Sequence, residues 1–233
     1  MKTHATLTKT AFRLLTGSIA LYAAALSAQA ASVLVQAESF TNAGGAGFVS
    51  LLDPTASGGR YATTLGDNTA ATPSDLGSFQ VSFAESGTYT LYLRALAEGD
   101  AAAQGGNDSF FIPATFGAAP TFPERINDIQ NTTPDPVPQY SWINIFTKQG
   151  LEFGGAVTGG GTSGQYTVGA PGVQTFVIGG RENGLRLDAF VFSTEANLTA
   201  AQLNTIAGVP EPTSVLLGAM GLLGLASRRR KQA

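Results

Sequence analysis

Apolar and polar residues alternate most regularly between Thr88 and Ala95. The odd-numbered residues from 89 to 95 are Tyr, Leu, Leu and Ala, and the even-numbered residues from 88 to 94 are Thr, Thr, Tyr and Arg. A period of two places these sets on opposite faces of a β-strand. Seven further runs rich in Val, Phe, Tyr and Thr also predict strands: 33–37, 79–83, 109–112, 142–146, 165–168, 174–178 and 187–193.

Clusters of Gly, Asn, Asp, Ser and Pro separate these runs, and no helical periodicity lies between them. The pattern therefore predicts an all-β domain over residues 31–196, folded as a β-sandwich rather than a parallel α/β sheet. Long loops interrupt it at 97–106, 154–164 and 120–138, the last with five prolines. Loops of this length are either functional or disordered, and the sequence leaves both open. Residues 198–206 have near-helical apolar spacing after Asn197, which predicts a capped short helix or linker over 197–208.

The first 30 residues have the three parts of a secretory signal peptide. Lys2, Lys9 and Arg13 precede an apolar stretch at 14–26, and Ala28-Gln29-Ala30 provides the small residues that a signal peptidase accepts. The alternative is an amphipathic helix of the mature protein. The apolar stretch is shorter than the roughly 20 residues of a membrane span. We therefore expect signal peptidase to cut after Ala30 and the rest of the chain to be exported.

The C-terminal segment 209–233 combines three features in a fixed order. Pro210-Glu211-Pro212 is followed by an uncharged stretch at 213–226 and then by Arg228-Arg229-Arg230-Lys231. This order resembles the PEP-CTERM protein-sorting segment of Gram-negative bacteria. The resemblance implies that an exosortase-type enzyme cuts near the Pro-Glu-Pro and that the protein leaves for the cell surface or the extracellular polymer.

The uncharged stretch predicts a short transmembrane helix. Fourteen residues extend about 21 Å as a helix, less than a hydrocarbon core of about 30 Å. The basic cluster should stay cytoplasmic, which places the β-domain outside. The pattern favours a transient anchor used during processing, with a plain single-pass anchor or a buried C-terminal helix as the alternatives.

Composition removes several kinds of chemistry. The chain has no Cys, and His4 is its only His. The exported part therefore has no disulfide, no ordinary zinc site, and no Ser-His-Asp or Cys-His catalytic group. Residues 31–209 hold 15 acidic and 6 basic residues, a net charge of −9. Such an acidic domain is a poor match for nucleic acid.

Several stretches of the β-domain resemble carbohydrate-binding modules of family 6 and the related family 35. The resemblance covers about residues 33–194, with its pieces in the family's order. The stretches that carry it are Val35-Gln36-Ala37-Glu38, Ala56-Ser57-Gly58-Gly59-Arg60-Tyr61, Gly87-Thr88-Tyr89-Thr90-Leu91-Tyr92-Leu93-Arg94-Ala95, Asn107-Asp108-Ser109-Phe110-Phe111-Ile112 and Arg181-Glu182-Asn183-Gly184-Leu185-Arg186-Leu187-Asp188. It implies a jelly-roll β-sandwich.

The resemblance also implies a structural Ca²⁺ held by Glu38, Asp188 and backbone oxygens near residues 59–60, since Ca²⁺ prefers oxygen ligands. Gln36 stands where relatives often have a second acid, and ordinary strand-end carboxylates are the alternative. For sugar binding the residues implied are Tyr61, Trp142 and Asn183. Trp142 is the only Trp and lies in Tyr140-Ser141-Trp142, where relatives show Trp-x-Trp. A core role for Trp142 is the alternative, because aromatic residues on sandwich strands commonly pack inside.

No pair of carboxylates stands out as catalytic. Glycosidases need two acids at a defined separation, and Asp100, Asp108 and Glu182 are only some of many acids in the chain. We therefore expect no enzyme. The sequence favours a cell-surface or matrix protein that binds polysaccharide without catalysis. The alternatives are a structural exopolymer protein with no specific ligand and, less favoured, a glycan-active enzyme.

Overall fold

The computed structural model describes residues 31–68, 70–98, 108–129, 139–152 and 164–209. Within these ranges the chain forms strands, one 3₁₀ turn at Ala37–Ser39 and one α-helix, α1, at Ala200–Ala207. The strands are β1 Ser32–Gln36, β2 Thr41–Gly44, β3 Phe48–Leu52, β4 Arg60–Thr64, β5 Leu76–Phe83, β6 Gly87–Ala97, β7 Phe110–Ile112, β8 Glu124–Ile126, β9 Ser141–Asn144, β10 Gln149–Gly150, β11 Gln165–Val168, β12 Gly172–Gly180 and β13 Leu185–Ser193.

The strands form two antiparallel sheets. The larger sheet follows the order β10-β9-β6-β13-β4-β3, with β1 also paired to β13 and β11 also paired to β6. The smaller sheet follows the order β2-β5-β12-β7-β8. The long central strands set the register: Leu93 of β6 lies opposite Phe190 of β13, and Phe79 of β5 lies opposite Phe176 of β12.

Aromatic side chains fill the space between the sheets. Phe176 of the smaller sheet lies edge-on to Phe190 and Phe192 of the larger sheet, with ring centroids 5.7 and 5.1 Å apart. Phe83 approaches Phe192 in the same way at 5.7 Å. Such edge-to-face contacts add to the burial of large apolar surfaces. Both sheets therefore share one core.

The outer face of the larger sheet is divided in two. Helix α1 covers one half, where Leu203 and Ala207 pack against Tyr92, Trp142 and other buried residues. The other half lies beside the 53–59 turn and carries the polar groups described below. A bulge in β13 between Leu187 and Ala189 separates the part of that strand paired to β4 from the part paired to β1. Asp188 lies at this bulge and is buried.

The structure confirms the all-β prediction and the β-sandwich. All eight predicted strands are present, and their bounds differ from the predicted ones by up to three residues. The pattern missed β2, β3, β4, β8 and β10. These strands are short, and β2, β3 and β8 lie at sheet edges, where alternation is not enforced by burial on one face. The predicted helix is present, but Thr199 caps it instead of Asn197: the Thr199 hydroxyl accepts from the Gln202 N–H in a capping box.

Several predictions lie outside the described residues. They are the signal peptide at 1–30, the sorting segment from Pro210 onward with its apolar stretch at 213–226, most of the loops at 97–106 and 154–164, and residues 130–138 of the loop predicted at 120–138. Within the residues that the structure describes, no helix has the length and apolar character needed to cross a membrane.

Candidate functional site

A charged and aromatic patch occupies the half of the larger sheet that α1 leaves uncovered. We call it the Arg186 patch, and it consists of Asp53, Tyr61, Glu98, Tyr140 and Arg186. The pairing of Ala62 with Leu187 aligns β4 and β13, so Tyr61 and Arg186 project from the same face. The Arg186 guanidinium lies over the Tyr61 ring, 4.8 Å from its centroid.

Two carboxylates hold the Arg186 guanidinium in place. Arg186 Nη1 lies 2.9 Å from Asp53 Oδ2, and Nε donates to Glu98 Oε1. Burial alone would lower the pKa of Arg186, but the hydrogen bond and charge of Glu98 outweigh burial and raise that pKa. The Arg186 side chain is still 29 % exposed. One face of the guanidinium therefore rests on Tyr61 while part of the group meets solvent.

Tyr140 is a buried aromatic residue of the patch. Its hydroxyl donates to Asp53 Oδ2 at 3.1 Å, and the Arg94 guanidinium lies 5.1 Å from its ring centroid. The pKa of Asp53 is lowered: burial opposes this, but hydrogen bonds from Thr55, Tyr140 and Arg186 outweigh burial. Asp53 is therefore a fixed negative group that orients both Tyr140 and Arg186.

Asn183 lies beside the patch on the turn between β12 and β13. Its backbone N–H donates to Asp67 Oδ1 at 3.0 Å, and its carbonyl accepts from Thr63 Oγ1 at 3.0 Å. The residue itself is exposed. Of the three predicted sugar-contacting residues, Asn183 is the one whose side chain is open to solvent, whereas Tyr61 is buried beneath Arg186.

Trp142 is a core residue. Its side chain has no exposed surface, and its indole Nε1–H donates to Asn204 Oδ1 of α1 at 2.8 Å. The ring packs between the sheet and α1 and presents no face to a ligand. Its placement among sugar-contacting residues is therefore corrected, and the alternative of a core role is the one observed. From the sequence, residues 197–208 were expected to form a short helix or linker after the β-domain. Nothing in the sequence therefore indicated that this helix would cover the Trp142 ring.

The predicted calcium residues lie close together where β1, the 3₁₀ turn and the bulge of β13 meet. We call this group the Glu38 pocket: Gln36, Glu38, Ser57 and Asp188. Asp188 Oδ1 accepts from Ser57 N–H at 2.9 Å and lies 2.9 Å from Ser57 Oγ, which is 3.0 Å from Gln36 Oε1. Asp188 Oδ2 accepts from Arg94 Nη1.

Glu38 is the member whose bonding is incomplete. Its Oε2 is buried and accepts no hydrogen bond from the described residues. Burial, followed by the negative charge of Asp188, raises the pKa of Glu38, although its own backbone hydrogen bond and Arg60 oppose the rise. A Cβ at Gly58 would overlap Glu38 Oε1 and approach Gln36 Oε1 to 3.3 Å, so only Gly lets the Glu38 carboxylate lie where it does. A buried carboxylate oxygen without a hydrogen bond, in a group that also includes the oxygens of Gln36, Ser57 and Asp188, fits a hard cation.

The pocket has two carboxylates and no third. Within the described residues, no three Asp, Glu, His or Cys side chains are placed to hold a metal ion. The Gly59 carbonyl, one of the backbone oxygens implied by the resemblance, accepts from the Asp53 N–H at 3.0 Å. A cation here would therefore use amide and hydroxyl oxygens, Gln36 Oε1 and Ser57 Oγ, besides Glu38 and Asp188.

A second buried acid lies between β7 and the β12–β13 turn. Asp108 has no exposed surface, and neither carboxylate oxygen has a hydrogen-bond partner among the described residues. Burial, followed by the charges of Glu182 and Asp128, raises the pKa of Asp108 to about 6. Glu182 Oε2 accepts from the Asp108 N–H at 2.8 Å, and Arg181 binds Glu182 Oε1 and Ser109 Oγ. Asp108 and Glu182 are thus neighbours, but Asp108 is enclosed.

The sequence interpretation missed Asp53, Glu98 and Arg186 as site residues. Arg186 lies two residues before Asp188, one of the two predicted calcium ligands. In a regular strand, this spacing of two residues would place both side chains on one face, and it was the sequence signal that could have linked Arg186 to a candidate site. The bulge sends Asp188 to the Glu38 pocket and leaves Arg186 in the patch. No sequence pattern predicted that bulge.

Comparison with known proteins identifies the C-terminal segment. Residues 208–231 match the PEP-CTERM protein-sorting motif, which confirms the prediction for that segment. No curated protein matches the chain significantly.

Similar solved structures include three carbohydrate-active proteins. The Podospora anserina GH26-CBM35 β-(1,4)-mannanase has 17 % identity and a TM-score of 0.38, with 73 % of this chain and 29 % of that chain covered. The Paenibacillus sp. cycloisomaltooligosaccharide glucanotransferase has 14 % identity and a TM-score of 0.41, with 67 % and 17 % covered. A family 35 carbohydrate-binding module from Clostridium thermocellum has 17 % identity and a TM-score of 0.38, with 69 % and 97 % covered. The chain therefore spans less than a third of the two enzymes.

Proposed function

We propose that this chain is an exported surface protein whose β-sandwich binds polysaccharide without catalysis, and that the Arg186 patch is its binding surface. The observation that carries the proposal is the partly exposed Arg186 guanidinium, stacked on Tyr61 beside the exposed Asn183. The resemblance of the β-domain to carbohydrate-binding modules points to the same class of ligand.

The patch has the groups that sugar recognition requires. Sugar sites combine a flat surface, on which the ring lies, with a few placed donors and acceptors for the hydroxyls. The guanidinium is flat and held rigidly by Asp53 and Glu98, so little side-chain freedom is lost on binding. The Asn183 amide offers both a donor and an acceptor.

The absence of catalysis is part of the proposal. Of the acids considered as candidates for a catalytic pair, Asp108 and Glu182 lie together, but a substrate cannot reach Asp108 because it has no exposed surface. In the Arg186 patch, Asp53 is paired with Arg186 and Tyr140, and its lowered pKa makes it a poor proton donor. Turnover of any polysaccharide by the purified domain would contradict this part.

Binding is tested on residues 31–209 by glycan array, followed by affinity electrophoresis with the glycans that bind. We expect Asn183→Ala and Arg186→Lys to weaken binding about tenfold or more, since each removes a placed polar contact. Gln80→Ala, an exposed amide on the smaller sheet, is the matched control and should bind as the wild type does. Wild-type binding that both site variants retain would reject the patch, and no binding to any glycan would favour the structural exopolymer protein.

We further propose that the C-terminal motif directs processing and release. The motif match at 208–231 supports sorting by an exosortase-type enzyme. Intact mass of protein recovered from cells and medium is expected to show a start at Ala31 and an end near Pro212. A secreted form that still contains Arg228 to Lys231 would contradict processing.

We also propose that the Glu38 pocket holds a structural Ca²⁺. Glu38 Oε2 and Asp188 would be its charged ligands, and bound Ca²⁺ would neutralise two carboxylates that burial otherwise destabilises. Adding Ca²⁺ should raise the Tm and EDTA should reverse the rise, because an ion that binds only the folded state stabilises it. Glu38→Gln should remove the response while Glu195→Gln, an exposed acid, retains it. A Tm indifferent to Ca²⁺ and EDTA would reject the site.

A further inference from the structure

Arg94 is a buried arginine that lies next to the Arg186 patch without being part of its surface. It stands in β6 directly opposite Trp142 of β9 and Ala189 of β13, on the outer face of the larger sheet. Only 8 % of the residue is exposed. A ligand on the patch therefore has little of Arg94 to contact, and an effect of Arg94 on binding must act through other residues.

Arg94 contacts both residues that orient the Asp53 carboxylate from within the sheet and its turn. Arg94 Nη1 donates to the Thr55 carbonyl at 3.4 Å, and the guanidinium lies 5.1 Å from the centroid of the Tyr140 ring. The Thr55 N–H and hydroxyl donate to Asp53 Oδ1 at 2.9 and 2.6 Å, and the Tyr140 hydroxyl donates to Asp53 Oδ2 at 3.1 Å. Each oxygen of Asp53 is therefore bonded by a residue that contacts Arg94.

Asp188 fixes the position of Arg94. Asp188 has no exposed surface, and its Oδ2 accepts from Arg94 Nη1. Its other oxygen accepts from the Ser57 N–H at 2.9 Å, so the carboxylate is bonded at both ends. A guanidinium is planar and loses little further freedom once it is paired and packed. Arg94 is therefore a rigid support for the residues that rest on it.

The Asp53 carboxylate in turn fixes Arg186. Arg186 Nη1 donates at 2.9 Å to Asp53 Oδ2, the oxygen that also accepts from Tyr140. The second carboxylate that bonds Arg186 is Glu98, whose side chain is 41 % exposed, against 10 % for Asp53. Asp53 is therefore the better fixed of the two partners. A shift of Asp53 would change how the guanidinium lies over the Tyr61 ring and would lower the preorganisation of the patch.

We propose that Arg94 is a positioning residue for polysaccharide binding. It supports Thr55 and Tyr140, these two residues orient Asp53, and Asp53 holds Arg186 in the orientation that binds the sugar. This inference rests on the proposed binding of polysaccharide at the Arg186 patch. Loss of the Arg94 contacts lowers the affinity although no group that touches the ligand has been removed.

The test measures the affinity of the exported protein for the soluble polysaccharide that binds wild type most tightly on the array. Arg94→Lys keeps a positive charge but loses the planar guanidinium, and it should lower the affinity about fivefold or more. Thr55→Val, at an exposed position, removes one of two hydrogen bonds to Asp53 and should lower it about threefold. Val81→Ala, in the buried part of β5, is the control: it should lower the Tm and keep the wild-type affinity.

Double variants show whether Arg94 acts through Arg186. Arg94→Lys/Arg186→Lys should bind no more weakly than Arg186→Lys alone, because the group that Arg94 positions is already lost. Arg94→Lys/Asn183→Ala should instead show the product of the two separate losses, since Asn183 lies outside this set of contacts. Far-UV circular dichroism checks that each variant is folded, and Thr55→Val replaces Arg94→Lys in both pairs if the latter is not.

The outcomes separate the positioning role from the binding surface. Wild-type affinity in both Arg94→Lys and Thr55→Val, or a full additional loss in the pair with Arg186→Lys, would overturn the positioning role alone. An equal loss of affinity in Val81→Ala would overturn it too, since reduced stability would then explain the effect. Retention of binding by Arg186→Lys and Asn183→Ala, or no polysaccharide bound by wild type, would overturn the proposed binding surface and the positioning role with it.

Discussion

Glu38, Asp108 and Asp188 are buried or half-buried carboxyl groups whose pKa values are all raised, in each case mainly by burial. A carboxylate that loses water favours its neutral form unless other groups compensate. Arg94 and Ser57 provide such compensation for Asp188. Asp108 receives less, because Glu182 and Asp128 add negative charge beside it. Of these three groups, Asp108 is therefore the one whose ionisation is expected to destabilise the folded state most.

The first prediction concerns Asp108 and pH. Its folded-state pKa of about 6 exceeds the ordinary value of 3.8, so the folded state binds the proton more tightly. The resulting stabilisation is complete below about pH 4 and is lost as the pH rises through about 6. Asp108→Asn is always neutral and should have a Tm at pH 8 above wild type by about 2 °C or more, with the difference vanishing near pH 4.

Thermal melts between pH 4 and pH 8 measure this difference. Gln80→Ala, which introduces and removes no titrating group, should follow the wild-type profile. An Asp108→Asn Tm below wild type at pH 8 would mean that the ionised carboxylate has a favourable partner.

At the scale of elements, β3 is an edge strand protected by side chains. Asn42 pairs with both the N–H and the carbonyl of Phe48, and Arg60 Nη2 donates to the Ser50 carbonyl at 2.8 Å. These bonds occupy backbone groups that an open edge would offer to another strand. Leu51 and Leu52 are exposed on the same strand, so the protection matters.

The second prediction is that removing this protection causes self-association. The double variant Asn42→Ala/Arg60→Ala frees the Phe48 and Ser50 backbone groups beside two exposed Leu residues. Light scattering after size exclusion should show a larger concentration-dependent mass than wild type at the same concentration. Arg125→Ala, on the edge strand β8 of the smaller sheet, is the control. A double variant with the wild-type mass over that range would refute the idea.

At the scale of the whole molecule, one core joins the two sheets. Phe192 of the larger sheet contacts Phe83 and Phe176 of the smaller one, while Trp142 lies on the opposite face of the larger sheet, beneath α1. Disruption of the core should therefore affect both faces together.

The third prediction tests this coupling on residues 31–209. Phe192→Ala should destabilise the domain by about 3–5 kcal/mol and lower the midpoints reported by Trp142 fluorescence and by far-UV circular dichroism equally. Val173→Ala, at a 60 % exposed position of β12, should leave both midpoints near wild type. Separate midpoints for the two probes would show that the larger sheet and its α1 layer unfold independently of the core.

The sequence alone determined the all-β class, eight of the strands, the helix near residue 200 and the sorting segment. Each depends on local spacing: a period of two, a helical period, or an ordered run of Pro, apolar and basic residues. The resemblance also named Glu38 and Asp188 for one calcium site, which stays a prediction, and the charge of Asp188 contributes to the raised pKa of Glu38. These features depend on residues that are near one another in sequence or that occupy matched positions.

Only the tertiary structure decided which side chains are accessible. Trp142 is buried because α1 returns over the sheet 62 residues later, and Tyr61 is covered because Arg186 lies across it. Arg186 and Asp188 point to different sites because a bulge separates them. Burial of a side chain depends on which distant parts of the chain pack against it, so the spacing of residues within one strand does not predict it.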